Sequence, residues 1–371
     1  MNYIQRIDEL LGNYKKICSI RAELLILVAS VPEIEHKEKY IHEFLDRHID
    51  SNSLLESFNR KIIFIYDESI STEVFISIHN WFLKKCCNIK NILFVSTNTL
   101  GLSTWYKKYL DLFGQIGFVV VEVPLYTFYM PGVINSYENL NKPHINKELK
   151  YYFDFYGGTY GSLDRDFLVS LFLSHQSIGY VDYLGGFTNN TGKFDGYLEQ
   201  LTNFCDRKVC DQLTENKKLL QIASRKNIDK MQLVSNVAYN SNVHLVSACQ
   251  IIRETMDNQN FSILTEKTLK GFLNLQFIIP LGFQSIRHLE SLGFLFAHDL
   301  IDYSYQDEPN FYKRAQLVSE QVGKLKQRYS LKDLEQIILD RKEILMHNYD
   351  YIVSGKLFEK IYHNVQNLLN D

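Results

Sequence analysis

Residues 254–293 read ETMDNQNFSILTEKTLKGFLNLQFIIPLGFQSIRHLESLG, and this stretch decides the fold class. Apolar residues recur at helical spacing from Leu269 to Leu273, after Thr265, whose hydroxyl can accept a free amide of the first turn. The apolar run Phe277–Leu281 predicts a buried strand, and a second short helix follows and ends near Gly293. A helix, a strand and a helix in this order are typical of an α/β layer fold.

A charge pair opens the first of these helices. Glu266 and Lys267 follow Thr265 directly, and Thr268 completes the same turn. The amides and the dipole at a helix start favour an anion, and an ammonium group beside them adds a positive charge. A sugar nucleotide presents a diphosphate for the ammonium and a ribose diol for the carboxylate. The alternative is structural, because Glu and Lys commonly occupy first turns.

The rest of the chain repeats the alternation of strands and helices. Short apolar runs predict strands at 61–66, 91–95, 118–123, 150–156, 178–183 and 243–247. Helical patterns lie between them, for example at 71–85, 105–113 and 165–173. Such alternation predicts βαβ units and mostly parallel sheets. The expected fold class is therefore α/β, with two Rossmann-like domains and C-terminal helices that cross back to the first half.

The predicted organisation has four parts. Residues 1–58 are expected to form a helical N-terminal cap, and residues 59–145 a Rossmann-like domain. A second, larger Rossmann-like domain is expected over residues 146–345. A final helix within residues 346–371 is expected to pack back on the N-terminal half.

Composition excludes some functional classes. The net charge is −3 and the isoelectric point is near 6.4, so there is no global attraction to nucleic acid, although a local basic groove stays open. The six cysteines form no tandem metal-binding spacing, which indicates reduced thiols. The longest early apolar run, 22–31, is too short to span a bilayer. We therefore expect no membrane association and a cytoplasmic protein, in the host cytoplasm if the protein is viral.

Polar residues follow the predicted strands of the first half. Asp67 and Glu68 come directly after the run that ends at Tyr66. In parallel sheets ligands bind beyond the carboxyl ends of strands, so these carboxylates are candidates for a cleft. Capping of the next helix is the alternative for each of them. No dinucleotide-binding or P-loop glycine pattern occurs in the sequence.

The second half also resembles a known family. The segment 263–271, ILTEKTLKG, followed by Phe277-Ile278-Ile279 and by Gly282 and Ser285, resembles phage and giant-virus glycosyltransferase-like proteins. The C-terminal half of those proteins looks like that of the α1,3-fucosyltransferases. In that family a Phe-Glu-Asn segment and a Thr-Glu-Lys motif help to bind the donor nucleotide. Here Glu254 occupies the position of the first Glu, without the Asn.

The resemblance implies a fold and a set of roles. The fold would be the GT-B-like glycosyltransferase architecture, with the nucleotide sugar in the C-terminal half and the acceptor in the N-terminal half. Sugar-nucleotide binding would fall to Arg165, Glu254 and the segment Thr265–Thr268, although Arg165 could equally be a surface residue. Transfer would invert configuration without a metal or cofactor. A carboxylate base is expected, and Glu68 or Asp67 is the candidate from its position at a strand end.

Two kinds of acceptor stay open at this point. One is a 5-hydroxymethyl-pyrimidine in phage DNA, which the basic residues within 207–230 keep possible, and the other is a glycan. A different class of function is also open. The altered Phe-Glu-Asn segment is compatible with a catalytically degenerate transferase fold that acts as a binding or scaffold protein.

Overall fold

The computed structural model describes residues 24–28, 42–43, 45–46, 62–66, 72–85, 89–96, 102–122, 144–156, 163–182, 207, 210–211, 242–254, 266–357, 359–361, 363 and 367. The chain divides into two compact units. Unit 1 comprises Met1–Tyr129 together with Leu357–Asp371, and unit 2 comprises Met130–Lys356. The fold class is α/β, with parallel strands in both units.

Unit 1 contains a four-stranded parallel sheet. Its elements in chain order are β1 (Leu24–Val28), β2 (Ile62–Tyr66), α1 (Thr72–Lys84), β3 (Ile92–Ser96), α2 (Leu102–Phe113) and β4 (Val119–Glu122). The strands lie side by side in the order β1-β2-β3-β4. The register pairs Ile62 with Leu24 and with Ile92. Strand β3 is buried along its whole length, and its β-branched and aromatic residues pack well on a pleated surface.

Strand β1 corrects the prediction for residues 1–58. The run LLILV was assigned to a helical cap, but it forms a strand that pairs with β2 along its whole length. A short apolar run has no period of its own, so sequence alone does not separate a buried strand from a buried helix. Residues 24–28 form a strand because they pair with β2, which lies far away in the sequence.

Aromatic rings form the core of unit 1. Phe94 is fully buried on β3, where its ring stacks on Phe64 with centroids 5.2 Å apart. The edge of Phe75 on α1 approaches the same ring at 4.7 Å. Each such pair adds to the free energy of burial, because the ring edges and faces carry opposite partial charges.

We expect Phe94→Leu to lower the free energy of unfolding of unit 1 by about 1.5 kcal/mol, since it removes ring contacts while keeping most of the apolar volume. Both tryptophans, Trp81 and Trp105, lie in unit 1, so their fluorescence in a urea titration reports on this unit. Phe113→Leu is the matched control, because Phe113 is 61% exposed. Equal losses for the two variants would contradict this description of the core.

Unit 2 contains a second four-stranded parallel sheet. Its first elements are β5 (Tyr151–Tyr156), α3 (Leu163–Leu173), β6 (Gly179–Asp182), α4 (Asn242–Leu245), β7 (Ser247–Ile252), α5 (Glu266–Leu273) and β8 (Phe277–Pro280). The remaining helices are α6 (Ser285–Leu292), α7 (Phe311–Arg328), α8 (Leu331–Asp340) and α9 (Lys342–Val353), with a 3-10 turn at Tyr303–Asp307 before α7. The strand order is β6-β5-β7-β8.

Helices cover the sheet of unit 2. Helix α7 packs against α3 and β5, and α5 packs against α9, β7 and β8. The side chains of Phe153 and Phe155 contact Phe172 of α3, so the alternate residue Asp154 lies on the other face of β5. An acidic residue in the middle of a buried parallel strand is unusual and requires polar partners.

The structure corrects the predicted strand at 243–247. Residues 242–245 form α4, and the strand begins at Ser247 and continues to Ile252. Ser247 Oγ donates a hydrogen bond to the carbonyl of Val243 at 2.8 Å, which closes the turn between helix and strand. The polar Gln250 interrupts the apolar pattern of the true strand, yet its side chain is buried.

The last helix of unit 2 ends close to the point where the chain passes into unit 1. The predicted domain limit at residue 345 falls inside α9, and the division of the chain follows Lys356. Helix α9 ends at Val353, and Gly355 follows with φ +79°. A positive φ suits glycine because it has no Cβ, and a glycine in this conformation commonly follows the end of a helix. The predicted domain boundaries and the packing of residues 346–371 on the N-terminal half remain predictions.

Candidate functional site

The strand order of unit 2 contains a reversal. The chain passes from β5 to β6 on one side and then to β7 on the other side of β5, and all pairs are parallel. In open α/β sheets, ligands bind outside the carboxyl ends of the two strands where the order reverses. We call this place the switch-point edge, defined by Tyr156 at the end of β5 and Ile252 at the end of β7.

Unit 1 offers no equivalent position among its described strands. Their order β1-β2-β3-β4 follows the chain, so each connection moves in the same direction across the sheet. Asp67 and Glu68, the predicted catalytic carboxylates, lie outside the described residues. The topology therefore favours a ligand-binding site in unit 2.

Glu254 lies two residues beyond β7, at the switch-point edge, and only 1% of it is exposed. Thr268 Oγ1 donates a hydrogen bond of 2.6 Å to Glu254 Oε1. Lys267 Nζ lies 3.9 Å from Glu254 Oε2. The buried carboxylate thus ties the end of β7 to the first turn of α5, where the helix dipole stabilises a negative charge.

The three side chains differ in their exposure. The side chain of Lys267 is 40% exposed, whereas that of Glu254 is 2% exposed and Thr268 is buried. Lys267 is the member of this trio that reaches solvent. The carboxylate of Glu254 contacts Thr268 and Lys267, and its predicted binding of the nucleotide stays a prediction.

Gly271 allows α5 to approach the sheet closely. A Cβ at this position would collide with Ile278 of β8, and it would lie 2.6 Å from Gln250 Oε1 of β7. A larger residue would push the helix away from both strands. The buried face of α5 also contains Leu269, Phe272 and Leu273, as the helical spacing predicts. The position of helix α5 is therefore fixed at both ends, by the close contact of its last turn with the sheet and by the bond between Glu254 and its first turn.

The other predicted binding residues are placed by their backbone. Arg165 lies in the first turn of α3, which follows β5, and Glu266 is the first residue of α5, which follows β7. These helices come after the two strands of the switch-point edge. Thr265 lies outside the described residues. The structure thus brings Glu254, Lys267 and Thr268 together.

A buried polar cluster was missed in the sequence. Asp154 is fully buried on β5, and its Oδ1 lies 3.1 Å from Nδ1 of the equally buried His244. Asp154 Oδ2 accepts a hydrogen bond of 2.6 Å from Gln276 Nε2. Lys147 completes the cluster, because its amine is bound to backbone carbonyls beside these groups. The signal that could have revealed it is the single Asp within YYFDFY, since an acidic residue in a buried strand requires partners.

His288 lies on α6, the helix that follows β8. Burial lowers the pKa of His288 to about 4, and its Nε2 has no hydrogen-bond partner among the described residues. The unfolded chain binds a proton on this ring below pH ~6.5, whereas the folded chain resists it until pH ~4. The stability that the neutral ring contributes is complete above pH ~6.5, and it is lost as the pH falls from there toward pH ~4.

We expect the free energy of unfolding of unit 2 to fall by about 2 kcal/mol more in the wild type than in His288→Met between pH ~7.5 and pH ~5. Urea titrations followed by circular dichroism at the two pH values measure this difference. His144→Met is the control, because His144 belongs to the same unit and is exposed. An identical pH dependence in wild type and His288→Met would contradict the assignment.

The described residues contain neither a membrane-spanning helix nor a cluster of metal ligands. No helix in that part of the chain is long and apolar enough to cross a membrane. No group of three or more His, Cys, Asp or Glu side chains there is placed to hold a metal ion. Comparisons of the chain with protein-family models, curated proteins and solved structures find no match.

Proposed function

We propose that the protein is a glycosyltransferase that binds a nucleotide-diphosphate sugar at the switch-point edge of unit 2. The observation that carries this proposal is the trio of Glu254, Thr268 and Lys267. A buried carboxylate fixes the first turn of α5 and places an exposed ammonium group beside it. This arrangement lies at the position where parallel α/β sheets bind nucleotides.

The chemistry of the helix start suits a diphosphate. The first amides of α5 have no partners within the helix, and they add to the positive end of its dipole. Lys267 contributes a full positive charge next to them. Cleavage of the sugar–phosphate bond leaves negative charge on the departing diphosphate, so these groups stabilise the transition state as well as the bound donor. Glu266, the first residue of α5, is proposed to accept the ribose hydroxyls.

A second cation is proposed at the other strand of the switch-point edge, β5. Arg165 in the first turn of α3 follows β5, just as Lys267 follows β7. An Arg can form two parallel hydrogen bonds to phosphate oxygens, which Lys cannot. Together the two helix starts would hold the diphosphate from both strands of the switch-point edge.

The two units correspond to the two halves of a GT-B-like enzyme in this proposal. Unit 2 binds the donor, and unit 1 supplies the acceptor side and a base, for which Glu68 and Asp67 remain the candidates. The reaction inverts configuration at the sugar and needs no metal. The acceptor is a hydroxyl group, either on a glycan or on a 5-hydroxymethyl-pyrimidine in DNA. The alternative function, a degenerate transferase that binds without catalysis, is an outcome of the test.

The first experiment is a thermal-shift screen with UDP- and GDP-sugars, with the corresponding free sugars as controls. A ligand present at 100 times its Kd stabilises the folded state by about 2.7 kcal/mol, which gives a clear shift in Tm. We expect a shift with one of the two nucleotide classes and none with the free sugars. The absence of any shift with every nucleotide sugar would refute the proposal.

The second experiment separates the enzyme from the scaffold. The donor that gives the shift is labelled in the sugar and incubated with hydroxymethylcytosine DNA or with a glycan array. Transfer of label to either acceptor supports the transferase and identifies the acceptor class. Binding of the donor with no transfer to DNA, to glycans or to water supports the scaffold.

A further inference from the structure

The amine of Lys147 joins three segments at the amino edge of the sheet in unit 2. Lys147 precedes β5, and its Nζ donates hydrogen bonds to the carbonyls of Asn274 at 2.7 Å and His244 at 3.3 Å. His244 belongs to α4, just before β7, and Asn274 belongs to the turn between α5 and β8. One side chain therefore fastens the approaches to β5, β7 and β8.

Three buried titratable groups lie around this amine. The titratable groups around it are Asp154 on β5, His244 on α4 and Cys249 on β7, and all three are at most 1% exposed. The amide of Gln276 bonds to Asp154 Oδ2, and it also lies 3.4 Å from the carbonyl of Ser247. Lys147 is 9% exposed, so closing this edge removes the amine from most of its contact with water, and its state of protonation depends on whether the edge is closed or open.

We propose that the buried amine of Lys147 holds the amino edge of the sheet closed and takes up a proton when this edge opens. The edge therefore opens more often as the pH falls from 8.5 toward 7. The proposal stands on the burial of the amine and its two carbonyl partners. It does not depend on the proposed function, because Lys147 lies at the edge of the sheet opposite to the switch-point edge.

The direction of the effect follows from the two states of the amine. Burial lowers the pKa of Lys147 to about 7 in the closed state, although Asp154 and Cys249 act in the opposite direction. In the open state the amine is in water, where its ordinary pKa is 10.5. Between these two values the open state binds a proton and the closed state does not. Each unit of pH therefore changes the opening equilibrium by up to tenfold, with opening favoured at the lower pH.

The test is hydrogen–deuterium exchange of the full chain at pH ~7 and pH ~8.5, read by mass spectrometry in peptides that cover residues 144–156. After correction for the intrinsic exchange rate at each pH, we expect protection to be roughly 15-fold higher at the upper pH. The upper limit stays below 9.0, the ordinary pKa of the Cys249 thiol, which is raised by burial and would favour opening in more alkaline solution. Peptides from α1 in unit 1 serve as the internal control.

Two variants decide the role of Lys147. Lys147→Met keeps most of the length of the side chain and removes the amine, so the pH dependence in peptides 144–156 should disappear. Equal protection of the wild type at both pH values, or an unchanged pH dependence in Lys147→Met, would overturn the proposal. If Lys147→Met does not fold, Asp154→Asn gives the answer. It removes the charge that favours protonation of Lys147, so the pH dependence should persist and extend below pH ~7, and its absence would overturn the proposal.

Discussion

Lys267→Ala should weaken binding of the nucleotide-sugar donor by roughly 30- to 150-fold, as measured by isothermal titration calorimetry. The reason is the loss of a charge-assisted hydrogen bond to the diphosphate, which contributes on the order of 2–3 kcal/mol in a shielded site. The fold should remain intact, because the Lys267 side chain is 40% exposed and the helix is anchored by Thr268 and Glu254 instead.

The chain offers a matched control for this variant. Lys332 is the second residue of α8, as Lys267 is the second residue of α5, and it is exposed. Helix α8 is capped by Ser330, whose Oγ accepts from the Asp333 amide at 3.2 Å, and it does not follow a strand of the switch-point edge. Lys332→Ala should leave donor affinity unchanged. Equal losses of affinity in both variants would indicate a general effect of charge rather than a site at α5.

Arg314→Met should lower the free energy of unfolding of unit 2 by about 4 kcal/mol. Arg314 is fully buried, and its guanidinium donates to the carbonyl of Leu281 at 2.6 Å and to the carbonyl of Glu308 at 2.5 Å. It also lies 5.8 Å from the ring of Phe283 and 5.7 Å from that of Phe311. Removal of the guanidinium leaves the buried carbonyl of Leu281 and the part-buried carbonyl of Glu308 without these donors, and each such loss costs about 1–3 kcal/mol.

The measurement is a urea titration followed by far-ultraviolet circular dichroism, with tryptophan fluorescence as a simultaneous control for unit 1. Arg341→Met is the matched variant, because Arg341 pairs with Asp299 and its side chain is 29% exposed. A pair this close to solvent contributes at most about 1 kcal/mol. A loss for Arg314→Met as small as that for Arg341→Met would contradict the buried role of Arg314.

The local fold of unit 2 was predictable where the period of apolar residues is clear. Strand β8 and helix α6 fall close to their predicted positions, because Phe277-Ile278-Ile279 is a continuous apolar run and Gly293 ends the helix that follows. The prediction was wrong at β1 and at the start of β7. Both errors concern segments whose state is decided by pairing with distant strands, and a short window of sequence contains no information on that pairing.

The candidate site was predictable in part for a similar reason. Glu266, Lys267 and Thr268 could be placed at a helix start because capping and helical spacing are local properties. The hydrogen bond between Thr268 and Glu254 depends on the packing of α5 against β7, so the burial of Glu254 was not visible in the sequence. The cluster of Lys147, Asp154 and His244 joins three separate segments and was missed for the same physical reason.

The most direct test of the central claim is hydrogen–deuterium exchange with and without the donor identified in the screen. The proposed site predicts slower exchange in peptides that cover residues 253–273 when the donor is bound, because the diphosphate would occupy the first amides of α5. It also predicts that Lys267→Ala reduces this effect while Lys332→Ala preserves it. Slower exchange confined to the strand ends of unit 1, with no change in 253–273, would contradict the account.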